Sequence, residues 1–240
     1  IVVMLDEDHM SNPDRIVHAM REQGITLLKA VPTLLRAICE SAQLIGVNDF
    51  HLRYLISVGE VLLKNDVDLF HRALGTDFKI VNQYGPTECS GIYTNYLVPD
   101  QVFKDEISSV PIGKPMSNNR IYILDKYLHP VPQGIPGECY LAGVGVGVGY
   151  LNQPELTAAV FLPDPFHPGG KMYRTGDIVR RLTDGNLVFI GRKDNQVKLR
   201  GYRVELSEIE SVLAEFPGVR DAAVHVWKKE RNEILAAYIT

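Results

Sequence analysis

The sequence has little of what marks secreted, metal-binding, membrane-spanning or nucleic-acid-binding proteins. Its three cysteines, Cys39, Cys89 and Cys139, are far apart and odd in number, unlike the close spacings of zinc sites and small disulfide frameworks. No apolar run approaches the ~20 residues of a membrane span, and the opening residues 1–5 are too short for a signal peptide. No run of Lys and Arg exceeds two residues and the net charge is −4, which disfavours a nucleic-acid-binding surface. We therefore expect a cytoplasmic protein with neither a membrane nor a nucleic acid as its partner.

The composition is that of a globular protein large enough for a proper hydrophobic core. Of the 240 residues, 45% are hydrophobic and 22% are charged. The chain begins with Ile1 rather than Met, and it ends at Thr240 inside a predicted strand. We therefore expect it to be a piece of a longer polypeptide.

The first third of the chain alternates between predicted helices and strands. Residues 11–14, Ser-Asn-Pro-Asp, supply a cap and a first-turn proline for a helix that Gly24 would stop. Apolar runs predict strands at residues 25–31, 52–58 and 78–81, and helical patterns follow the first two. This alternation predicts an α/β fold with a parallel sheet covered by helices.

After residue 82 the pattern changes to short strands separated by glycine and proline turns. Such strands are predicted at residues 120–125, 138–142, 177–182 and 186–190. They indicate an antiparallel or barrel-like addition to the parallel sheet.

A small α+β unit is predicted at the end of the chain, beginning near Asp194. Ser207 and Glu210 have the spacing of a capping box ahead of an apolar helical pattern, and Pro217 would end that helix before two further strands. The expected division is therefore a larger unit over residues 1–193 and an incomplete smaller one over residues 194–240.

The motif Asn-Gln-Tyr-Gly-Pro-Thr-Glu at residues 82–88 directly follows a predicted parallel strand. The carboxyl ends of such strands form the edge at which open α/β sheets bind ligands. Gly85 and Pro86 force a tight turn that would present Thr87 and Glu88 together. A hydroxyl and a carboxylate on one rigid turn suit a phosphate and its Mg²⁺. The alternative is an ordinary loop in which Glu88 is merely solvated.

Asp177 and Arg192 are two further candidates for contact with a nucleotide. Asp177 ends the motif Tyr-Arg-Thr-Gly-Asp, and an ionised Asp can accept hydrogen bonds from both hydroxyls of a ribose. Arg192 follows another predicted strand and could hold a ribose or phosphate oxygen. The alternatives are structural: Asp177 would cap an ordinary turn, and Arg192 would form an exposed ion pair with Asp194.

Five motifs in order carry a family resemblance over essentially the whole chain. They lie at residues 82–88, 111–125, 137–161, 173–177 and 191–210. Together they resemble the adenylate-forming superfamily, and within it the adenylation domains of nonribosomal peptide synthetases. The resemblance implies two half-reactions. A carboxylate first attacks the α-phosphate of MgATP to give an acyl adenylate and pyrophosphate, and a phosphopantetheine thiol on a carrier domain then takes the acyl group.

The resemblance also implies roles for single residues. Asn82 would meet the adenine amino group, with Tyr84 and Gly85 along the nucleotide, and Thr87 and Glu88 would address phosphate and Mg²⁺. The remaining assignments are stacking on the nucleotide by Phe189, binding of the ribose by Asp177 with help from Arg192, a domain hinge at Asp194, and a second-step lysine at Lys198.

The amino-acid pocket of the family falls on a further set of residues: Lys29, Ile56, Val58, Gln83, Gly91 and Ile92. Lys29 is unusual because it lies in an otherwise apolar predicted strand, where burial is unfavourable unless the charge is paired. Either its head reaches solvent, or it meets a polar or acidic substrate such as Asp or Asn, with Gln83 as a second contact.

Two alternatives stay open at the level of sequence. An acyl-CoA synthetase would share the fold and the first half-reaction, whereas a non-catalytic remnant would keep only nucleotide or carrier contacts. The chain lacks the phosphate loop, the substrate-anchoring Asp and the terminal catalytic Lys of the family, so we expect these 240 residues alone not to turn over. It also has Gly147 and Val148 where the family commonly has Ala and Arg.

Overall fold

The computed structural model describes residues 12–99, 109–194, 196–199, 201–229 and 232–240. The chain forms two compact units, Ile1–Gly191 and Arg192–Thr240. Ser11, part of the predicted helix cap, lies outside the described residues. Within the described ranges, no helix combines the length and the apolar composition that crossing a membrane requires.

The first sheet of the larger unit has five strands in spatial order β1-β2-β3-β4-β5. They span Leu27–Ala30, Tyr54–Val58, Lys79–Tyr84, Thr94–Leu97 and Lys114–Pro115. The first three run parallel, whereas β4 and β5 add on in antiparallel fashion. The predicted parallel sheet is therefore confirmed, and two short antiparallel strands that were not predicted extend it.

Three helices cover one face of this sheet. They are α1 (Pro13–Glu22), α2 (Pro32–Ile45) and α3 (Lys64–Leu74). As predicted, α1 has a capped start, since the Asn12 side chain accepts a hydrogen bond from the Asp14 backbone N–H. The buried stripes of all three helices form one core with Leu55 of β2 and Ile80 of β3.

Five further strands form an open antiparallel sheet in the second half of the larger unit. They are β6 (Asn119–Leu124), β7 (Gly137–Gly143), β8 (Phe161–Pro163), β9 (Lys171–Arg181) and β10 (Leu187–Arg192). The order β10-β9-β7-β6, with β8 beside β9, does not close among the described strands, so this addition is a sheet and not a barrel. Strand β9 begins six residues earlier than the predicted 177–182, and helix α4 (Pro154–Val160) was not predicted.

Residues 110–113 join the two sheets of the larger unit. Backbone hydrogen bonds connect Ile112 N–H to the Leu187 carbonyl at 2.7 Å and Leu187 N–H to the Gly113 carbonyl at 2.9 Å. Gly113 has φ of +88°, and a Cβ there would lie 2.0 Å from the Asn95 carbonyl oxygen. Only glycine fits this close approach of two backbones.

The smaller unit contains two hairpins and one helix. Strands β11 (Gln196–Leu199) and β12 (Tyr202–Glu205) pair antiparallel, as do β13 (Ala222–Lys229) and β14 (Asn232–Ile239). Helix α5 (Leu206–Ala214) lies between the hairpins in sequence.

The predicted capping box at Ser207 is wrong. The helix already begins at Leu206, with Glu205 at the N-cap and no side-chain cap bond. Because β12 runs directly into the helix, Ser207 lies inside its first turn. Glu210 instead accepts a hydrogen bond from the Val224 backbone N–H of β13 at 2.8 Å.

Candidate functional site

A tight, self-bonded turn follows β3 and carries Thr87 and Glu88. The chain closes on itself through a backbone bond from Tyr93 N–H to the Tyr84 carbonyl at 2.7 Å. A Cβ on Gly85 would lie 2.7 Å from that Tyr93 nitrogen, so the turn requires glycine there. Residues Thr87–Cys89 form a single 3₁₀ turn, in which Thr87 is exposed and Glu88 is half-buried. The turn therefore presents a hydroxyl and a carboxylate together.

Strand β3 is longer than predicted and includes Asn82, Gln83 and Tyr84. These residues lie within the strand and not beyond its end, so their side chains alternate between the two faces of the sheet. Asn82 and Tyr84 share one face, and Gln83 lies on the other. The strand thus separates the predicted nucleotide contacts from the predicted substrate contact.

The Asn82 side chain is buried and held by main-chain carbonyls. Its Nδ2 donates to the carbonyl oxygens of Pro111 at 2.9 Å and Val110 at 3.3 Å. Both bonds use the amide nitrogen, so they fix the amide and leave its oxygen, Oδ1, as the acceptor. An adenine amino group is a donor and would need such an acceptor.

Tyr84 and Asp177 meet although 93 positions separate them in the chain. The Tyr84 hydroxyl donates to Asp177 Oδ2 at 2.5 Å, and both side chains are buried. The Asp177 backbone N–H donates to Thr175 Oγ1 at 3.0 Å, which fixes the main chain from which the Asp177 side chain extends. Burial, with the neighbouring Cys139 and Asp177, raises the pKa of Tyr84 well above its ordinary value, so its hydroxyl remains a donor.

Phe189 lies in β10. Its half-buried ring packs against the core cluster that includes Tyr84, Tyr173 and Val179. Asn82, Tyr84, Glu88, Asp177 and Phe189 thus all belong to the larger unit.

Three further predicted residues, assigned to nucleotide binding, the hinge and the second step, belong to the smaller unit. Arg192 forms a two-pronged ion pair with Asp194, in which Nε–Oδ1 and Nη2–Oδ2 are both 2.7 Å. Burial tends to raise the pKa of Asp194, but Arg192 and the Gln196 backbone N–H outweigh it, and the pKa lies below its ordinary value. Lys198 is exposed and stands opposite Arg203 in the β11–β12 hairpin.

Four predicted pocket residues share one face of the first sheet. Lys29 is in register with Ile56, and Val58 is in register with Gln83. Lys29 is exposed, so its head reaches solvent here, whereas Ile56 and Val58 are half-buried. Gly91, with φ of +79°, and the half-buried Ile92 follow the turn.

Gln83 has a partner that the sequence did not indicate. Its Nε2 donates to Asn95 Oδ1 at 2.9 Å, and its Oε1 is buried without a hydrogen-bond partner. Asn95 was not predicted as a site residue because the short strand β4 that carries it was not predicted. A polar residue paired across from Gln83 becomes visible only once the register of β3 and β4 is known.

Tyr150 is a second residue that the sequence did not single out. Its hydroxyl donates to Glu88 Oε1 at 2.6 Å. The available signal was its position at the end of the glycine-rich motif, but nothing in that motif connects it to Glu88.

Glu88 suits a metal that takes few ligands from protein. Among the residues that the structure describes, no group of three or more His, Cys, Asp or Glu could hold a metal ion. Mg²⁺ bound to a nucleotide usually takes only one or two carboxylates, the remainder being phosphate oxygens and water. A single half-buried carboxylate on a rigid turn fits that requirement.

A comparison with known families distinguishes between the functional and the purely structural interpretation of these motifs. Residues 1–151 match the family model described as AMP-binding enzyme. The chain belongs to the AMP-binding enzyme family. This membership confirms the resemblance drawn from the motifs.

The chain is similar to much longer curated proteins. It is 42% identical over 241 residues to Malpibaldin synthetase of Mortierella alpina, an alignment that covers 99% of this chain and 4% of that protein. The chain therefore spans only a small part of this relative.

Solved structures of adenylation domains share its fold. The Vibrio cholerae adenylation domain AlmE, in complex with glycyl-adenosine-5'-phosphate, matches with a TM-score of 0.80 and 30% identity, covering 98% of this chain and 44% of that one. Holo-PA1221, an NRPS protein containing adenylation and PCP domains, matches with a TM-score of 0.84 and 28% identity, covering 95% of this chain and 39% of that one. The chain thus spans less than half of either structure.

Proposed function

We propose that this chain is part of an amino-acid-activating adenylation domain of a nonribosomal peptide synthetase. The observation that carries the proposal is the Tyr84–Asp177 bond, which brings a buried carboxylate of β9 to the last residue of β3 in a chain of the AMP-binding enzyme family. The reaction would join a substrate carboxylate to the α-phosphate of ATP, release pyrophosphate, and pass the acyl group to a carrier phosphopantetheine thiol.

The nucleotide roles follow from the side chains in the larger unit. Asn82 Oδ1 would accept from the adenine amino group, Phe189 and Tyr84 would pack along the nucleotide at Gly85, and Asp177 would accept from the ribose hydroxyls. A preorganised carboxylate keeps its geometry through the reaction, which is how such sites favour a transition state.

Thr87 and Glu88 are the proposed contacts to phosphate and Mg²⁺. When bound, Mg²⁺ would neutralise charge on the phosphates. The protein's own contribution is the rigid turn, which holds the Thr87 hydroxyl and the Glu88 carboxylate in place before the nucleotide arrives.

The second half-reaction is assigned to the smaller unit. We propose that the functional boundary lies between residues 193 and 194, two residues beyond the start of the compact unit at Arg192. Asp194 would serve as the hinge and Lys198 as the lysine of the thiolation state. Asp194 already pairs with Arg192, so its carboxylate would compete with a nucleotide oxygen for the guanidinium.

We further propose that the substrate is polar or acidic. Lys29 supplies a positive charge on the same sheet face as Gln83, whose buried Oε1 has no hydrogen-bond partner. The remaining pocket positions, Ile56, Val58, Gly91 and Ile92, are apolar or small. An amino acid such as Asp or Asn would match this combination.

The partners are proposed from the relatives. One similar structure contains both an adenylation and a PCP domain, and the curated relatives are synthetases many times longer than this chain. A carrier domain and neighbouring synthetase domains are therefore the expected partners. The same relatives disfavour the acyl-CoA synthetase alternative. A cytoplasmic location stays a prediction.

Amino-acid-dependent exchange of pyrophosphate into ATP tests the function in the full-length protein that carries these residues. We expect the largest signal with Asp or Asn, formation of a thioester on the carrier serine, and no exchange by the isolated 240 residues. Exchange only with a large aliphatic or aromatic amino acid would show the substrate proposal to be wrong. Absence of exchange with every amino acid, or release of an acyl-CoA product, would contradict the function itself.

A further inference from the structure

Tyr150 lies at the end of the glycine-rich segment, residues 143–150, and contacts the side chain of Glu88. The Tyr150 hydroxyl donates to Glu88 Oε1 at 2.6 Å across a sequence separation of 62 residues. Glu88 is the carboxylate to which the proposed function assigns Mg²⁺, whereas Tyr150 has no role in that assignment. A hydrogen bond this short to an acidic side chain is of the charge-assisted kind.

The surroundings of Tyr150 fix the position of its ring. Its backbone N–H donates to Thr157 Oγ1 of α4 at 2.9 Å. The ring meets Phe161 edge-on at a centroid distance of 5.6 Å. Gly149 just before it has φ of +144°, and a Cβ there would lie 2.4 Å from Thr157 Cγ2. These contacts with α4 and β8 fix the Tyr150 ring without help from Glu88. The Tyr173 side chain is a second hydrogen-bond neighbour of the Tyr150 hydroxyl.

The glycine-rich segment also holds the main chain of the turn. Gly147 N–H donates to the Glu88 carbonyl oxygen at 2.8 Å, and the Ser90 hydroxyl donates to the Gly145 carbonyl at 3.1 Å. A Cβ on Gly147 would lie 2.9 Å from the Glu88 carbonyl oxygen, so the glycine lets the two backbones approach closely. One segment thus restrains both the backbone and the side chain of Glu88.

The chemistry of this contact favours a role in orientation. A phenol is a neutral donor, so it fixes the rotation of the carboxylate without cancelling its charge. A lysine or arginine at the same place would neutralise the charge that a cation needs.

We propose that Tyr150 is a positioning residue, which orients the Glu88 carboxylate toward the divalent cation of the nucleotide. This inference rests on the proposed function, because that function supplies the role of Glu88. It adds a residue from the glycine-rich segment to the site, and it gives that segment a task beyond turning the chain.

The experiment uses the full-length protein with a non-hydrolysable ATP analogue and Mn²⁺ as the probe, and electron paramagnetic resonance measures bound Mn²⁺. Tyr150→Phe removes only the hydroxyl, and Glu88→Ala removes the carboxylate. Tyr122→Phe is the matched control, since the Tyr122 hydroxyl donates at 3.1 Å to a different buried carboxylate, Asp164. Thr157→Val removes the acceptor of the Tyr150 backbone N–H but keeps the Tyr150 hydroxyl.

For Tyr150→Phe we expect the Mn²⁺ concentration at half-saturation to rise roughly threefold to tenfold, the range of one net hydrogen bond. Binding of the analogue without metal should be unchanged, Thr157→Val should give a smaller rise, and Tyr122→Phe none. Half-saturation by Mg²⁺ in pyrophosphate exchange should shift by the same factor as for Mn²⁺.

The two assignments fail in different ways. If Glu88→Ala abolishes Mn²⁺ binding while Tyr150→Phe and Thr157→Val leave it unchanged, the positioning role is wrong and the role of Glu88 stands. If Glu88→Ala itself binds Mn²⁺ normally, the role of Glu88 in the proposed function is wrong, and the positioning role is overturned with it.

Discussion

The hydrogen bond between Tyr84 and Asp177 shows how one side chain can serve both fold and site. It joins β3 of the first sheet to β9 of the second, and it keeps a buried carboxylate oriented by a donor. A hydrogen bond to an ionised group contributes about 1.5–3 kcal/mol, which is more than an ordinary neutral pair. The carboxylate would offer the same kind of bond to ribose hydroxyls.

We therefore expect Asp177→Asn to weaken AMP binding by roughly tenfold to a hundredfold, because a neutral amide replaces a charged acceptor. Isothermal titration calorimetry on the full-length protein measures the change. Tyr84→Phe is the control: it keeps the carboxylate, and it should lower the free energy of unfolding by about 1.5–3 kcal/mol while weakening AMP binding less. AMP affinity of Asp177→Asn equal to that of the wild type would contradict the ribose assignment.

Residue types at the site could be predicted from the sequence, but some of their partners could not. Glu88 ends a motif that follows a predicted strand, and Asp177 ends a motif with hydroxyl and charged side chains, so their chemistry was visible in the sequence. Asn95 and Tyr150 are ordinary polar residues in sequence. They acquire meaning only because the fold brings them to Gln83 and Glu88.

At the scale of elements, α5 and β13 are joined by a side chain that was expected to do something else. Glu210 was predicted to belong to a capping box, but it accepts the Val224 backbone N–H of β13 instead. A buried N–H without an acceptor is unfavourable, so this one bond links the helix to the second hairpin of the smaller unit.

Glu210→Ala should destabilise the smaller unit by about 1–2 kcal/mol, because the Val224 N–H loses its charged acceptor. Hydrogen exchange of the Val224 amide in the full-length protein reports the loss directly, as faster exchange. Glu210→Gln retains a carbonyl acceptor and should restore most of the protection. The exposed Glu208 of the same helix serves as the matched position, and Glu208→Ala should leave the Val224 amide protected.

Elements were predictable in proportion to the apolar surface they bury. Helices α1 to α3 each present several buried residues at helical spacing, and all three follow the expected order. Helix α4 has seven residues and none of them is buried, so no apolar face marked it. Strand β5 has only two residues, too few for any alternation to appear.

At the scale of the whole molecule, the three cysteines are all buried and free, in keeping with the expected absence of a disulfide framework. Burial, with Glu40 and Asp66 nearby, raises the pKa of Cys39 to about 12. Burial, with Glu88 nearby, raises the pKa of Cys89 likewise to about 12. These thiols therefore stay protonated in the folded protein at pH values where unfolded chains lose the proton.

The sign of the resulting pH dependence follows from linkage. Below about pH 9 both states keep the proton, and between about pH 9 and about pH 12 only the folded state does, so stability falls over that window. We expect the urea midpoint for exposure of Cys89 to fall as pH rises above about 9, as measured by alkylation and peptide mass spectrometry. In the Cys39→Ala variant, the urea midpoint for exposure of Cys89 should fall less over the same pH range. If it falls as much as in the wild type, the Cys39 thiol does not contribute to the pH dependence.

The class of the fold, the order of its main elements and the family could be predicted from the sequence, because buried apolar runs and motifs at strand ends are local patterns. Which side chains meet depends on how the chain folds. The tertiary structure joined Tyr84 to Asp177, Tyr150 to Glu88 and Asn95 to Gln83, and it placed Arg192 on Asp194. Apart from the last, these contacts depend on strand register and on distant segments packing together, and neither is written in the local pattern of residues.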